Sequence, residues 1–158
     1  MNEYHNNLTK EFHDEDYRYA YAEDFLNTSI ATQIRVLREQ RDHMTQQELA
    51  DRIGTKQAGI SRLENVNYSA WKTETLRKLA RALGVRLRIT FETFGTLLEE
   101  AGGFSREALQ RPDFEHDSAF AETFIAETTT FINDRRKPVM SIDESPFVRL
   151  QGTRVIQR

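Results

Sequence analysis

The stretch "TQQELADRIGTKQAGISRLEN", residues 45–65, decides how this chain folds. Thr45 followed by Glu48 is a capping box, in which the threonine hydroxyl accepts from the Glu48 amide while the glutamate side chain reaches back to the Thr45 amide. A helix therefore opens at Gln46, with Leu49, Ala50 and Ile53 on its buried face. Gly54 ends that helix as an αL residue. A second helix runs over residues 57–65 with Ile60 and Leu63 inward, and of Thr55 and Lys56 only Thr55 is a good cap for it. Together these positions make the pattern of a helix-turn-helix, and each has a steric reason. Ala50 lies where the two helices cross most closely, and Gly54 supplies the positive φ of a tight turn. Ile60 and Leu63 anchor the second helix on the first and leave its other face free for a DNA major groove.

Working outward, apolar Ile30, Ile34 and Leu37 predict an amphipathic helix over residues 30–41. Before it, residues 14–26 read as a separate helix with Tyr17, Tyr21 and Phe25 on one stripe, ended or bent by the cap-forming residues Asn27, Thr28 and Ser29. Residues 65–72, "NVNYSAWK", are a loop in which Trp71 is expected to anchor rather than stack on bases, because of the apolar area it buries. Residues 73–83 form a helix with Leu76, Leu79, Ala80 and Leu83 on one side, ended by Gly84. The period then switches from helical to alternating in "VRLRITFE", residues 85–92, which predicts a half-buried β-strand. A strand cannot satisfy its own backbone. Paired antiparallel with a second copy about Ile89, it would set Arg86 opposite Glu92 and Leu87 opposite Phe91, matching charge with charge and apolar with apolar. The rival partner is the more weakly alternating stretch "FVRLQGTRVIQR" at residues 147–158. Short helices are expected at 105–110 and 119–133, with poor order from 134 onward.

An acidic chain carrying a motif suited to DNA poses a puzzle that the distribution of charge resolves. The formal net charge of the 158 residues is −3. Residues 1–29 hold two Lys/Arg against seven Asp/Glu, residues 30–92 hold twelve against seven, and residues 93–158 hold eight against eleven. A basic middle is thus flanked by acidic arms, the arrangement of a polyanion-binding module with separate interaction segments. The expected organisation is an acidic arm with one helix (1–29), a helix-turn-helix domain plus strand (30–92) and a C-terminal extension (93–158) that is helical and then poorly ordered.

The motif and its surroundings, "MTQQELADRIGTKQAGISRLEN" followed by "TLRKLARALGV", resemble the phage-repressor (Cro/CI, or XRE) family of DNA-binding domains across roughly residues 30–85. The resemblance implies a mainly α, lambda-repressor-like domain of five short helices that binds double-stranded DNA as a homodimer. It implies that Lys56, Gln57, Ala58, Ser61 and Arg62 face the groove, that Gln46 donates to a phosphate, and that Arg38 and Glu64 form a helix-bridging ion pair. The chain departs from the family at three places: "RDHMTQ" holds one residue more than usual before the motif, Val66 replaces a common glycine, and Trp71 stands near a common proline. The residue chemistry agrees with the mapping. Gln57 can read adenine N6 and N7 as a bidentate pair, and Arg62 can read guanine or grip a phosphate. Lys56 at a helix start opposes the macrodipole unless a phosphate lies nearby. Gly59 destabilises a helix by about 1 kcal/mol relative to alanine, and it is either explained by a close approach of the backbone to DNA or merely tolerated.

Other function classes find little support. The four histidines, His5, His13, His43 and His116, share no metal-ligand spacing, and zero cysteines exclude disulfides and thiolate-bound zinc. The five carboxylates in "DEDYRYAYAEDF" lack a substrate-binding context and read as a solvated helix. No nucleotide loop or nucleophile triad is present. The polar, acidic first residues resemble no signal peptide and no apolar run spans a bilayer. The expectation is a cytoplasmic transcriptional regulator, a repressor, with no catalytic residues, metal or cofactor. The alternative is an antitoxin whose acidic arm or C-terminal extension binds a basic toxin while the same domain represses the operon.

Overall fold

A computed structural model describes residues 3–120 of the chain. Among them are seven α-helices: α1 (Glu3–Glu11), α2 (Glu15–Gln40), α3 (Gln46–Ile53), α4 (Gln57–Leu63), α5 (Thr73–Ala82), α6 (Phe94–Gly102) and α7 (Arg106–Leu109), followed by a 3₁₀ turn at Phe114–His116.

The longest element corrects the sequence reading. Residues 27–29 do not end a helix, because α2 runs unbroken for 26 residues, about 39 Å at 1.5 Å per residue. The side chains that suggested a cap are engaged in other ways. Ser29 Oγ donates back to the Leu26 carbonyl (3.0 Å), and Asn27 Oδ1 accepts from Trp71 Nε1 (2.8 Å). The boundary expected between residues 29 and 30 therefore falls inside a helix, and α2 carries two different cores on its two halves.

The C-terminal half of α2 packs with α3, α4 and α5. Ile34, Leu37, Met44, Leu49, Ala50, Ile60, Leu63, Leu79 and Leu83 form this core, flanked by Ile30, Ile53, Trp71, Leu76 and Val85. The N-terminal half starts at Asp14, whose carboxylate accepts from the Tyr17 amide, and it carries the aromatic stripe. Phe12 is the hub of a second cluster, with ring centroids 5.3 Å from Tyr21 and 6.1 Å from Phe94. Phe25 meets Phe104 edge-on at 5.4 Å, and the Tyr4 and Tyr21 hydroxyls lie 2.9 Å apart. Burial, then the hydrogen bond with Tyr4, holds the Tyr21 phenol above its ordinary pKa. Helices α1 and α6 were not evident in the sequence. Isolated nine-residue helices are marginal in water, and here Phe12 and Phe94 fix them to α2.

No strand is present among the described residues, so the β-strand expected at 85–92 is an unpaired extended segment. Leu87 is half-buried, but Ile89 is 65% exposed and Phe91 fully exposed. Arg88 pairs with Glu92 of its own chain (3.2 Å). The reason is physical: a strand exists only as a ladder, and among the described residues the 86–92 backbone makes no backbone hydrogen bond. The rival pairing stretch at 147–158, almost all of the helix expected at 119–133 and the region from 134 onward lie outside the described residues.

The short helix expected at 105–110 does follow its signals. Ser105 caps α7, which ends before Pro112. This segment is tied to α2 and to the end of α5. Gln33 Nε2 donates to the Leu109 carbonyl (3.2 Å), Arg106 pairs with Glu39 (2.8 Å), and the Phe114 amide donates to the Gly84 carbonyl (3.1 Å). Gly84 has φ +69°, and a Cβ there would stand 2.8 Å from Asp113 Cβ, so the close approach requires glycine.

Candidate nucleic-acid interface

The motif is built as its residues dictate. Thr45 Oγ1 accepts from the Glu48 amide (3.2 Å) and Glu48 Oε2 accepts from the Thr45 amide (2.6 Å), closing the capping box. The Thr45 amide first, and then the Thr45 hydroxyl, which also donates to Glu48 Oε2 (2.8 Å), hold the Glu48 carboxyl below its ordinary pKa. Gly54 sits at φ +72°, and Ala50 is fully buried in the core formed by α3 and α4.

Two details of the turn differ from the sequence reading. The N-cap of α4 is Lys56, without a side-chain cap bond, and not Thr55. Thr55 packs against the helix instead, where its hydroxyl would lie 2.9 Å from a Cβ at position 59. Gly59 therefore also avoids a close contact with the Thr55 side chain inside the turn.

Helix α4 divides cleanly. Ile60 and Leu63 are buried, while Lys56, Gln57, Ala58, Ser61 and Arg62 are all exposed on its outward side. Among the described residues the side chains of Lys56, Ser61 and Arg62 have no hydrogen-bond or ion-pair partner. Behind this face Arg38, 8% exposed, grips Glu64 with two parallel bonds, Nε to Oε1 at 2.6 Å and Nη2 to Oε2 at 3.0 Å. Its remaining nitrogen donates to the Met44 carbonyl (2.6 Å). Glu64 first, and Glu39 more weakly, raise the Arg38 pKa against the opposing effect of burial. Between α2 and α3, Asp42 and His43 are both left-handed at φ 51° and 55°, and the ion pair forms with the extra residue in place.

A link that the sequence did not disclose joins this ion pair to the outward face. Gln46 Nε2 donates to Glu64 Oε2 (2.8 Å), and Gln57 Nε2 donates to Gln46 Oε1 (2.6 Å). A carboxylate only accepts, so it fixes which way the Gln46 amide points, and Gln46 in turn fixes Gln57. Among the described residues Gln57 is left with a free carbonyl oxygen and one free amide hydrogen, the acceptor and donor that a bidentate bond to adenine N6 and N7 requires. The only trace in the sequence is two glutamines eleven positions apart, a spacing without local meaning.

Val66 is exposed, and Trp71 anchors the following loop through Asn27 and an edge-on contact with Tyr68 at 4.8 Å. The expected pairing residues Arg86, Leu87, Ile89, Phe91 and Glu92 lie on the extended segment, away from this helix in sequence and unpaired by any second strand among the described residues. No group of residues fit to hold a metal ion occurs among the described residues, and no helix there is long and apolar enough to cross a membrane.

Comparison with known proteins agrees with this geometry. A sequence profile described as helix-turn-helix matches residues 34–89. The chain is 34% identical over 97 residues to the HTH-type transcriptional repressor RghR of Bacillus subtilis (strain 168), a match covering 51% of this chain and 71% of that protein. No solved structure matches the chain. With an αL glycine between two short helices, a buried Arg38–Glu64 brace and a related repressor aligned over most of its length, this chain belongs to the phage-repressor (Cro/CI, XRE) type of helix-turn-helix family.

Proposed function

We propose that this protein binds a specific double-stranded DNA sequence and represses transcription there. The observation that carries the reading is the outward side of α4, where an oriented Gln57 amide stands among the side chains of Lys56, Ser61 and Arg62, which have no partner among the described residues. Gln57 reads an adenine, Arg62 a guanine or phosphate, and Ser61 and Ala58 lie against neighbouring base edges. Lys56 and the second Nε2 hydrogen of Gln46 hold phosphates, which set register without reading sequence. The relative's name, a transcriptional repressor, favours repression over neutralisation of a toxin.

Gel shifts on a duplex selected from a random pool test the division of labour. Gln57→Ala is expected to lower affinity for the selected duplex by about 1–3 kcal/mol and leave random duplexes unchanged. Lys56→Ala is expected to weaken both and to reduce the slope of log K against log salt by about 1. Equal losses for both variants on both duplexes would refute the assignment.

Operator recognition by this family type commonly uses two half-sites about one helical turn apart, which requires a twofold dimer. The extended segment 85–92 suits that role. Antiparallel pairing about Ile89 sets Arg86 against Glu92 of a second copy and lays that copy's Phe91 over Leu87. Leu87 borders an apolar groove of about 500 Å³ between α2 and α5, lined also by Ile30, Ile34, Leu76 and Leu79. Phe91→Lys is expected to convert the dimer to a monomer in sedimentation velocity and to remove half-site cooperativity. A Phe91→Lys protein that still sediments as a dimer would place the interface elsewhere.

A further inference from the structure

The Gln57 amide is the end of a longer chain of contacts that begins in the C-terminal extension. Arg106 of α7 donates to Glu39 Oε2 at 2.8 Å. The other oxygen of Glu39 lies 3.7 Å from Arg38 Nη2 and 3.0 Å from Arg35 Nε. Arg38 Nη2 is the nitrogen that donates to Glu64 Oε2, and Oε2 is the atom to which Gln46 donates, with Gln57 donating to Gln46 in turn. Five consecutive side-chain contacts thus run from α7, through α2 and the C-cap of α4, to the start of α3 and back to the outward face of α4. The inner links are shielded from water: the side chains of Arg38 and Glu64 are 10% and 4% exposed.

We infer that Glu39 and Arg106 are positioning residues for base reading, acting on Gln57 through Arg38, Glu64 and Gln46. The physical reason is competition for Arg38. Its Nη2 faces two carboxylates, Glu64 at 3.0 Å and Glu39 at 3.7 Å, and whichever carries more unneutralised charge draws it more strongly. Arg106 and Arg35 neutralise Glu39, and together they hold its carboxyl below the ordinary pKa, Arg35 foremost. Arg38 is thereby left to Glu64, which keeps both oxygens aligned and holds the Gln46 amide in the one orientation that presents Gln57. Without Arg106, Glu39 pulls Nη2 away, Glu64 is gripped by Nε alone, and the Gln46 and Gln57 amides lose their fixed sense. The segment from α7 to Arg111, docked on α2 by Gln33, Gln40 and Arg41 as well, then bears on which base is read and not only on stability.

The inference rests on the DNA-binding reading, and the experiment separates the two. Discrimination is measured as the affinity ratio between the selected duplex and one changed at the base pair that Gln57 reads. Arg106→Ala is expected to reduce this ratio about threefold, within the range of distal couplings. In a Gln57→Ala background it should change nothing, and Arg106→Lys should restore most of the ratio. In the same full-length protein without DNA, the Gln46 and Gln57 side-chain amide resonances should move in Arg106→Ala and return in Arg106→Lys. Equal effects of Arg106→Ala with and without Gln57, or unmoved amide resonances, overturn the relay. Failure of the unmodified chain to bind any duplex would sink the DNA reading, while the amide resonances would still decide the relay.

Discussion

Glu64→Ala is expected to lower the unfolding free energy by about 3–5 kcal/mol in urea titrations, the usual result of stranding one member of a buried ion pair. Arg38 is almost wholly buried and spends its guanidinium on Glu64 and the Met44 carbonyl. Removing the carboxylate leaves a charge in the core with one carbonyl and the more distant Glu39 to answer it. Taking both partners away, as Arg38→Met with Glu64→Leu, should return much of the lost stability, since an apolar pair of similar volume has no desolvation to repay. Base discrimination should not return with it, because Gln46 would still lack the acceptor that orients it. A Glu64→Ala protein within about 1 kcal/mol of the parent would show that the ion pair is not what braces α4.

Ile60→Ala is expected to cost about 2–5 kcal/mol, the range for truncating a fully buried aliphatic side chain. Ile60 has no exposed surface and shares its core with Leu49 and Ala50 of α3. A seven-residue helix has too few internal bonds to persist alone, so α4 exists because this anchor holds it. Amide hydrogen exchange in α4 should therefore accelerate more than in α5. Arg62→Ala, on the exposed side of the same helix, should stay within about 0.5 kcal/mol of the parent and serves as the control. Comparable losses for the two variants would mean that the buried side of α4 does not govern its stability.

The two expected outcomes concern the same short helix, whose buried and exposed sides divide the labour of the motif. The fold depends on the inward side, on the burial of Ile60 and Leu63 and on Arg38 and Glu64 remaining paired. The outward residues contribute little to the fold and are free to be chosen for recognition. That separation is why apolar spacing could place the anchors Ile60 and Leu63 inward, whereas the candidate contact residues, which only the family resemblance singled out, have no apolar signal and are simply exposed.

The local elements of the motif were legible because their causes are local. A capping box, a glycine at positive φ, a 3.6-residue apolar period and a short helix stopped before Pro112 each involve residues within one or two turns of one another, and they appear where the sequence placed them. Tertiary contacts decided the rest. Asn27 and Ser29 carry cap chemistry, yet Trp71, forty-four positions away, claims the Asn27 oxygen and α2 continues. Thr55 has the hydroxyl of a cap but lies against Gly59, and Lys56 takes the cap position. Helices α1 and α6 owe their existence to an aromatic cluster that only a folded chain assembles. The alternating segment 85–92 has the period of a strand and no ladder among the described residues, because period is a property of one segment and pairing a property of two. The orientation of Gln57 belongs to the same class: it is set by a carboxylate seven residues onward and an arginine nineteen residues back, brought together by the packing of α2, α3 and α4.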